Sequence, residues 1–116
     1  MVEIKEITKG EILQLTVDGE VDASSSIHLD NAIRKAMEEG RQKIVVDCRG
    51  LNYISSAGLG VFMSYLEDFK DKGVKFVVYG LQDKVKHVFE LIGLENLLNI
   101  VSSEQEAEEF LNDTPA

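Results

Sequence analysis

Residues 43–60 read Lys43-Ile44-Val45-Val46-Asp47-Cys48-Arg49-Gly50-Leu51-Asn52-Tyr53-Ile54-Ser55-Ser56-Ala57-Gly58-Leu59-Gly60. The run Lys43 to Cys48 carries a continuous apolar centre, Ile44-Val45-Val46, and reads as a strand buried on both faces. Arg49 to Ser56 then reads as a loop. From about Ala57 to Lys72 the residues Leu59, Phe62, Met63, Leu66 and Phe69 recur at helical spacing, and Gly73 marks the helix end. A buried strand followed by a loop and an amphipathic helix is the repeating unit of a parallel sheet covered by helices.

The same alternation continues on either side. Upstream, Val2 and Ile4 alternate in a short strand and Gly10 marks a turn. Glu11 to Asp18 places Leu13, Leu15 and Val17 on one face and Ile12, Gln14 and Thr16 on the other, so the two segments form a hairpin. A first helix begins near Ser24, Ser25 or Ser26, each able to cap it, and stops at Gly40. Its apolar stripe is Leu29, Ile33, Ala36 and Met37. Downstream, Val74 to Tyr79 is a second buried strand. Asp83 to Ile92 is a helix with Val85, Val88, Phe89 and Ile92 inward, and Leu97 to Val101 is a last short strand. Ser103 to Asn112 is a final acidic helix that packs Ala107, Phe110 and Leu111. The expected fold class is α/β: a mostly parallel sheet with an N-terminal hairpin and about four helices, forming one domain over 1–116 with 113–116 as a frayed tail.

Composition agrees with one ordinary globular domain: 116 residues, 44% hydrophobic and 28% charged. A chain of this size buries roughly two-thirds of its extended surface, enough for a single core. One cysteine, Cys48, rules out an intrachain disulfide framework and a cysteine zinc cluster. With no signal peptide evident, the expected compartment is the cytoplasm. No apolar run approaches the length of about 20 residues that spans a bilayer. Asp and Glu number 21 against 12 Lys and Arg, a formal charge of −9. Such a surface repels nucleic-acid phosphates and anionic lipid, so neither nucleic acid nor membrane is an expected partner.

In open parallel sheets the loops at the carboxyl ends of strands usually carry function. Here that loop ends in two serines followed by Ala57-Gly58-Leu59-Gly60 at a helix start. The first helical turn offers unpaired N–H groups and the positive end of the macrodipole, where a phosphate is well tolerated. A serine before a helix is most often only a cap, and the glycines serve equally to let the helix pack on the sheet. Spacing alone leaves both readings open.

The run Asp47 to Gly60 resembles the signature of the STAS domain, in particular that of anti-sigma factor antagonists of bacterial partner-switching systems. Gly19-Glu20-Val21-Asp22 resembles the family's Gly-Glu-hydrophobic-Asp segment, and length and element order match from end to end. In that family the unphosphorylated antagonist binds a serine kinase that also sequesters a sigma factor, and so frees the sigma factor. The kinase phosphorylates a serine at the start of the second helix, the antagonist is released, and a serine phosphatase resets it. The family pattern Asp-Ser-(Ser/Thr)-Gly-Leu-Gly falls on Ser55, Ser56, Ala57, Gly58, Leu59 and Gly60. The resemblance therefore implies Ser56 as phospho-acceptor. It implies a partner surface of Asp22, Ser55, Ser56, Ala57, Gly58, Leu59 and Gly60, with no catalytic residue and no cofactor. Ser55 stands where the family has a carboxylate, which implies either altered kinase recognition or a competing acceptor at Ser55, and Ala57 lacks a hydroxyl. Two other readings stand beside this one: a STAS scaffold or sensory module in another signalling assembly, and a nucleotide-binding protein using the glycine turn.

Other motifs fit less well. Asp47 at a strand end resembles a receiver-domain aspartate, but the acidic pair and lysine of that site are missing, so Asp47 is read as organising its loop. Gly58-Leu59-Gly60 lacks the third glycine of a dinucleotide fingerprint, where Met63 stands. The surroundings of Ser56 are not Gly-x-Ser-x-Gly, and His28 and His87 both fall on helix surfaces. Cys48 is read as a small core residue, and Glu104, Glu106, Glu108 and Glu109 as a solvated face.

Overall fold

The computed structural model describes residues 1–112; the tail expected over 113–116 lies outside the described residues. Six strands and four α-helices alternate through them: β1 (Val2–Lys9), β2 (Ile12–Val21), α1 (Ser26–Glu38), β3 (Lys43–Asp47), β4 (Leu51–Ile54), α2 (Ser56–Lys72), β5 (Lys75–Tyr79), α3 (Asp83–Leu91), β6 (Asn99–Val101) and α4 (Glu104–Asn112). A short 3-10 turn, Leu94–Asn96, precedes β6. β1 and β2 form the antiparallel hairpin, and β2–β3, β3–β5 and β5–β6 are all parallel. The sheet order is β1-β2-β3-β5-β6.

Burial follows the strand period. Leu13, Leu15 and Val17 of β2, Ile44 and Val46 of β3, and Phe76 and Val78 of β5 form one core with α1, α2 and α3. Val45, Val77 and Tyr79 point to the opposite face and pack with Ala107 and Leu111 of α4. The uninterrupted Ile44-Val45-Val46 is thus apolar because both faces of β3 are covered. Phe62 of α2 ties the helices to the sheet, its ring lying 6.2 Å from Phe76 and 5.7 Å from Phe89.

Three expectations change. The segment Arg49 to Ser56 is not all loop: Leu51–Ile54 is a strand, β4, parallel to the end of β2 through Gly19, Glu20 and Val21. Its inward residues, Leu51 and Ile54, are three apart, with Asn52 and Tyr53 exposed between them, so the period-two signal of a strand is absent. β4 exists because β2 runs on past Asp18. At Gly19 the backbone adopts φ 105°, the register shifts, and a Cβ there would lie 2.4 Å from the Met1 carbonyl oxygen.

The second change is in α2, where Met63 is 47% exposed and Tyr65 is buried instead. The buried positions Gly58, Leu59, Phe62, Tyr65 and Phe69 centre a stripe from which Met63 lies roughly 100° away on helical geometry. The Tyr65 hydroxyl meets the Asp30 carboxylate at 2.6 Å, which makes its burial affordable. Third, Ile92 lies just past the end of α3 and is 46% exposed, leaving Phe89 to fill the core.

Candidate functional site

The end of β2, β4 and the start of α2 build the turn together. The Ser55 amide donates to the Val21 carbonyl at 2.8 Å, and the Gly19 amide donates to the Gly50 carbonyl at 2.9 Å. These two bonds bring Gly19-Glu20-Val21-Asp22 beside the segment that enters α2. Gln82, ahead of α3, donates to the Arg49 carbonyl and to Asn52 Oδ1, both at 3.1 Å, and holds the other side of the loop.

The two serines do different work. Ser55 is extended at the N-cap, and its Oγ accepts from the Gly58 amide at 3.3 Å. Ser56, the first residue of α2, is exposed, and its hydroxyl takes part in no hydrogen bond among the described residues. Ala57 and Gly60 are exposed on the same helical turn. Gly58 and Leu59, counted above with the partner surface, face inward. Leu59 is 5% exposed, and a Cβ on Gly58 would sit 2.7 Å from Ile54 and 2.8 Å from Val21 side-chain carbons. They seat the helix on β2 and β4 rather than offering side chains outward. A Cβ on Gly60, by contrast, would meet nothing within 4 Å.

Asp22 organises a second turn. Its Oδ1 accepts from the amides of Ser24 and Ser25 at 3.0 and 2.9 Å, and from their hydroxyls at 2.8 and 2.9 Å. The Asp22 amide donates to Ser25 Oγ at 2.9 Å. These bonds, led by the Ser24 and Ser25 hydroxyls, pull the carboxyl down to about 2. The three serines therefore do not cap α1 in the expected way: Ser25, at the N-cap, makes no side-chain capping bond and is drawn into the Asp22 turn. No hydrogen bond joins Asp22 to Ser56 among the described residues.

Asp47 is 4% exposed and organises its loop, as expected. Its Oδ1 accepts the Arg49 amide at 3.0 Å and Nε at 3.1 Å, and its Oδ2 meets the guanidinium at 2.9 Å. Burial pushes this carboxyl up, but the bonds from Arg49 outweigh it and the net shift is downward. Cys48 is fully buried, and burial raises its thiol far above the ordinary range, so it is an inert core residue. His28 and His87 are both exposed. Among the described residues no cluster of His, Cys, Asp or Glu is placed to hold a metal ion, and no helix is long and apolar enough to cross a membrane.

Two exposed apolar side chains flanking these segments are absent from the partner surface expected from the sequence. Tyr53 on β4 is 52% exposed, and Ile27 in the first turn of α1 is 51% exposed. The available signal was position alone: an aromatic three residues before Ser56, and an isoleucine just after the Asp22 turn.

The STAS domain model matches residues 3–107, and the chain belongs to the STAS domain family. The anti-sigma-B factor antagonist of Staphylococcus aureus strain NCTC 8325 / PS 47 is 25% identical over 97 residues, covering 84% of this chain and 90% of that protein. Among solved structures, an anti-sigma factor antagonist from Mycobacterium paratuberculosis superposes with a TM-score of 0.89 at 18% identity, covering 97% of this chain and 96% of that one. The Bacillus cell fate determinant SpoIIAA in its phosphorylated form gives a TM-score of 0.69 at 17% identity over 94% of this chain and 97% of that one.

Proposed function

We propose that this protein is an anti-sigma factor antagonist switched by phosphorylation at Ser56. The unphosphorylated form binds an anti-sigma factor serine kinase in the cytoplasm and so releases a sigma factor. Phosphorylation ends that binding, and a serine phosphatase restores it. The observation that carries this reading is the contrast between the two serines: Ser55 spends its oxygen on the Gly58 amide, while Ser56 is exposed with its hydroxyl free. The Staphylococcus relative named as an anti-sigma-B factor antagonist supports the same role, as does a phosphorylated form among the structural neighbours.

The physics fits a switch that leaves the fold intact. A phosphate brings about −1.5 to −2 charges and three strong acceptor oxygens. At the first residue of α2 the helix dipole and free amides favour that charge, so the domain stays folded. The same charge inside a partner interface is desolvated, and each 1.4 kcal/mol lost there weakens binding about tenfold.

The test is incubation with an anti-sigma factor serine kinase and ATP, with the phosphosite mapped by mass spectrometry. Phosphate on Ser56 of the wild type and none on Ser56→Ala is expected. The kinase should be retained by immobilised wild type and lost on Ser56→Asp. Undiminished labelling of Ser56→Ala would overturn the assignment.

A further inference from the structure

We propose that the outer edge of β1 pairs antiparallel with the same edge of a second copy of this chain, with Ile4 opposite Ile4. β1 stands at the end of the sheet order, so one side of this strand meets no other strand among the described residues. The hairpin register decides which backbone groups face that side. The Glu20 amide donates to the Met1 carbonyl at 3.0 Å, and in an antiparallel ladder bonded and non-bonded pairs alternate. Odd-numbered residues of β1 therefore bond to β2, and Val2, Ile4, Glu6 and Thr8 turn their N–H and C=O groups outward. An open edge of this kind is a template for another strand.

The side chains select the register. On the α1 side β1 carries Val2, Ile4 and Glu6, and on the other side Glu3, Lys5 and Ile7, as their pairing with Gly19, Val17, Leu15, Asp18, Thr16 and Gln14 requires. Two copies related by a twofold axis can centre their pairing on any residue of the strand. Centring on Glu3, Lys5 or Glu6 sets a charge opposite its own copy, and centring on Ile7 sets Lys5 opposite Lys9. Of the registers centred from Glu3 to Ile7, only Ile4 avoids both. It sets Glu3 opposite Lys5 of the second copy and Lys5 opposite its Glu3, in a non-bonded pair where side chains come closest. Within one copy Glu3 and Lys5 meet in a loose ion pair at 3.8 Å, and with side chains 68% and 64% exposed both can exchange that contact for the facing strand.

The opposite side of the strand fits the same register. β1 and α1 border an open groove whose lining includes Val2, Glu3, Ile4, Glu6, Ala32 and Lys35, with Glu6 ion-paired to Lys35 at 3.0 Å. Ile4 is half-buried on its floor, and Ile4 of a second copy completes its cover. A strand pair is a small interface, and two chains of charge −9 repel, so dissociation constants on the order of 10–100 μM are expected at ordinary ionic strength.

Sedimentation equilibrium from about 10 μM to about 1 mM reads the proposal out, with circular dichroism melts confirming that each variant is folded. Wild type should dimerise reversibly. Glu3→Lys and Lys5→Glu, each of which makes all four facing charges alike, should each weaken dimerisation at least about tenfold. The double exchange, Glu3→Lys with Lys5→Glu, should restore it, and an equimolar mixture of the two single variants should form heterodimers. A wild type monomeric at about 1 mM would overturn the proposal. So would single variants that associate as tightly as wild type, or a mixture that stays monomeric.

Discussion

The Ser55 amide donates to the Val21 carbonyl at 2.8 Å, and through that bond the end of β2 sets where α2 begins. Ser55 then directs its hydroxyl back into the helix, and Ser56 is left at the surface. Neighbours in the chain are thus divided between holding the turn and being available to a partner.

That division is testable at Ser55. Ser55→Ala removes the bond to the Gly58 amide and should lower stability by about 0.5–2 kcal/mol, as losing a cap does. Urea unfolding measures this. Ser56→Ala, which breaks no bond, should change stability by no more than about 0.5 kcal/mol. Kinase labelling should show the reverse ranking, retained in Ser55→Ala and abolished in Ser56→Ala.

Gly58 and Gly60 should respond oppositely to alanine. At Gly58 the new Cβ lies under 3 Å from carbons of Ile54 and Val21, and overpacking of this kind costs about 1–3 kcal/mol. At Gly60 the Cβ meets nothing, so alanine should stabilise α2 by about 0.5–1 kcal/mol. The fold itself therefore gives no reason for glycine at position 60. On the proposed function a partner approaches the helix backbone there, and Gly60→Ala should then bind the anti-sigma factor kinase more weakly while melting higher. Calorimetry for stability and titration of the kinase for binding separate the two effects.

Asp22 gives the protein an acid dependence of known sign. Its carboxyl falls from an ordinary 3.8 to about 2 on folding, so between those values the unfolded chain binds the proton more readily than the folded one. The stabilisation is complete above about pH 4 and is lost as pH falls towards 2. Solvent screening keeps it modest. Denaturation of wild type and Asp22→Asn between pH 2 and 5 should show the wild type gaining on the variant as pH rises through that window.

Phe62 links α2 to β5 and α3 through Phe76 and Phe89. Phe62→Ala should cost about 3–5 kcal/mol, a large part of the roughly 5–15 kcal/mol that holds a domain of this size together. The urea midpoint should fall accordingly, and kinase binding should fall with it, because α2 carries the turn.

Local patterns in the sequence determined the element types and their order. The continuous Ile44-Val45-Val46, the helical spacing of Leu59, Phe62 and Phe69, and the alternation of Leu13, Leu15 and Val17 each record burial along one element, and periodicity reports burial directly. The position of the candidate turn was legible for the same reason, since a segment between a buried strand and an amphipathic helix needs no distant contact to be seen. Tertiary structure alone decided β4, because Leu51–Ile54 becomes a strand only by pairing with Gly19, Glu20 and Val21, some 30 residues away in the chain. Whereas the Asp22 turn is local, its bonds to Ser24 and Ser25 spanning only two and three residues, tertiary structure also decided that Gly58 is needed for packing where Gly60 is not. The different fates of Ser55 and Ser56 depend in the same way on the Val21 carbonyl, a group supplied from another strand.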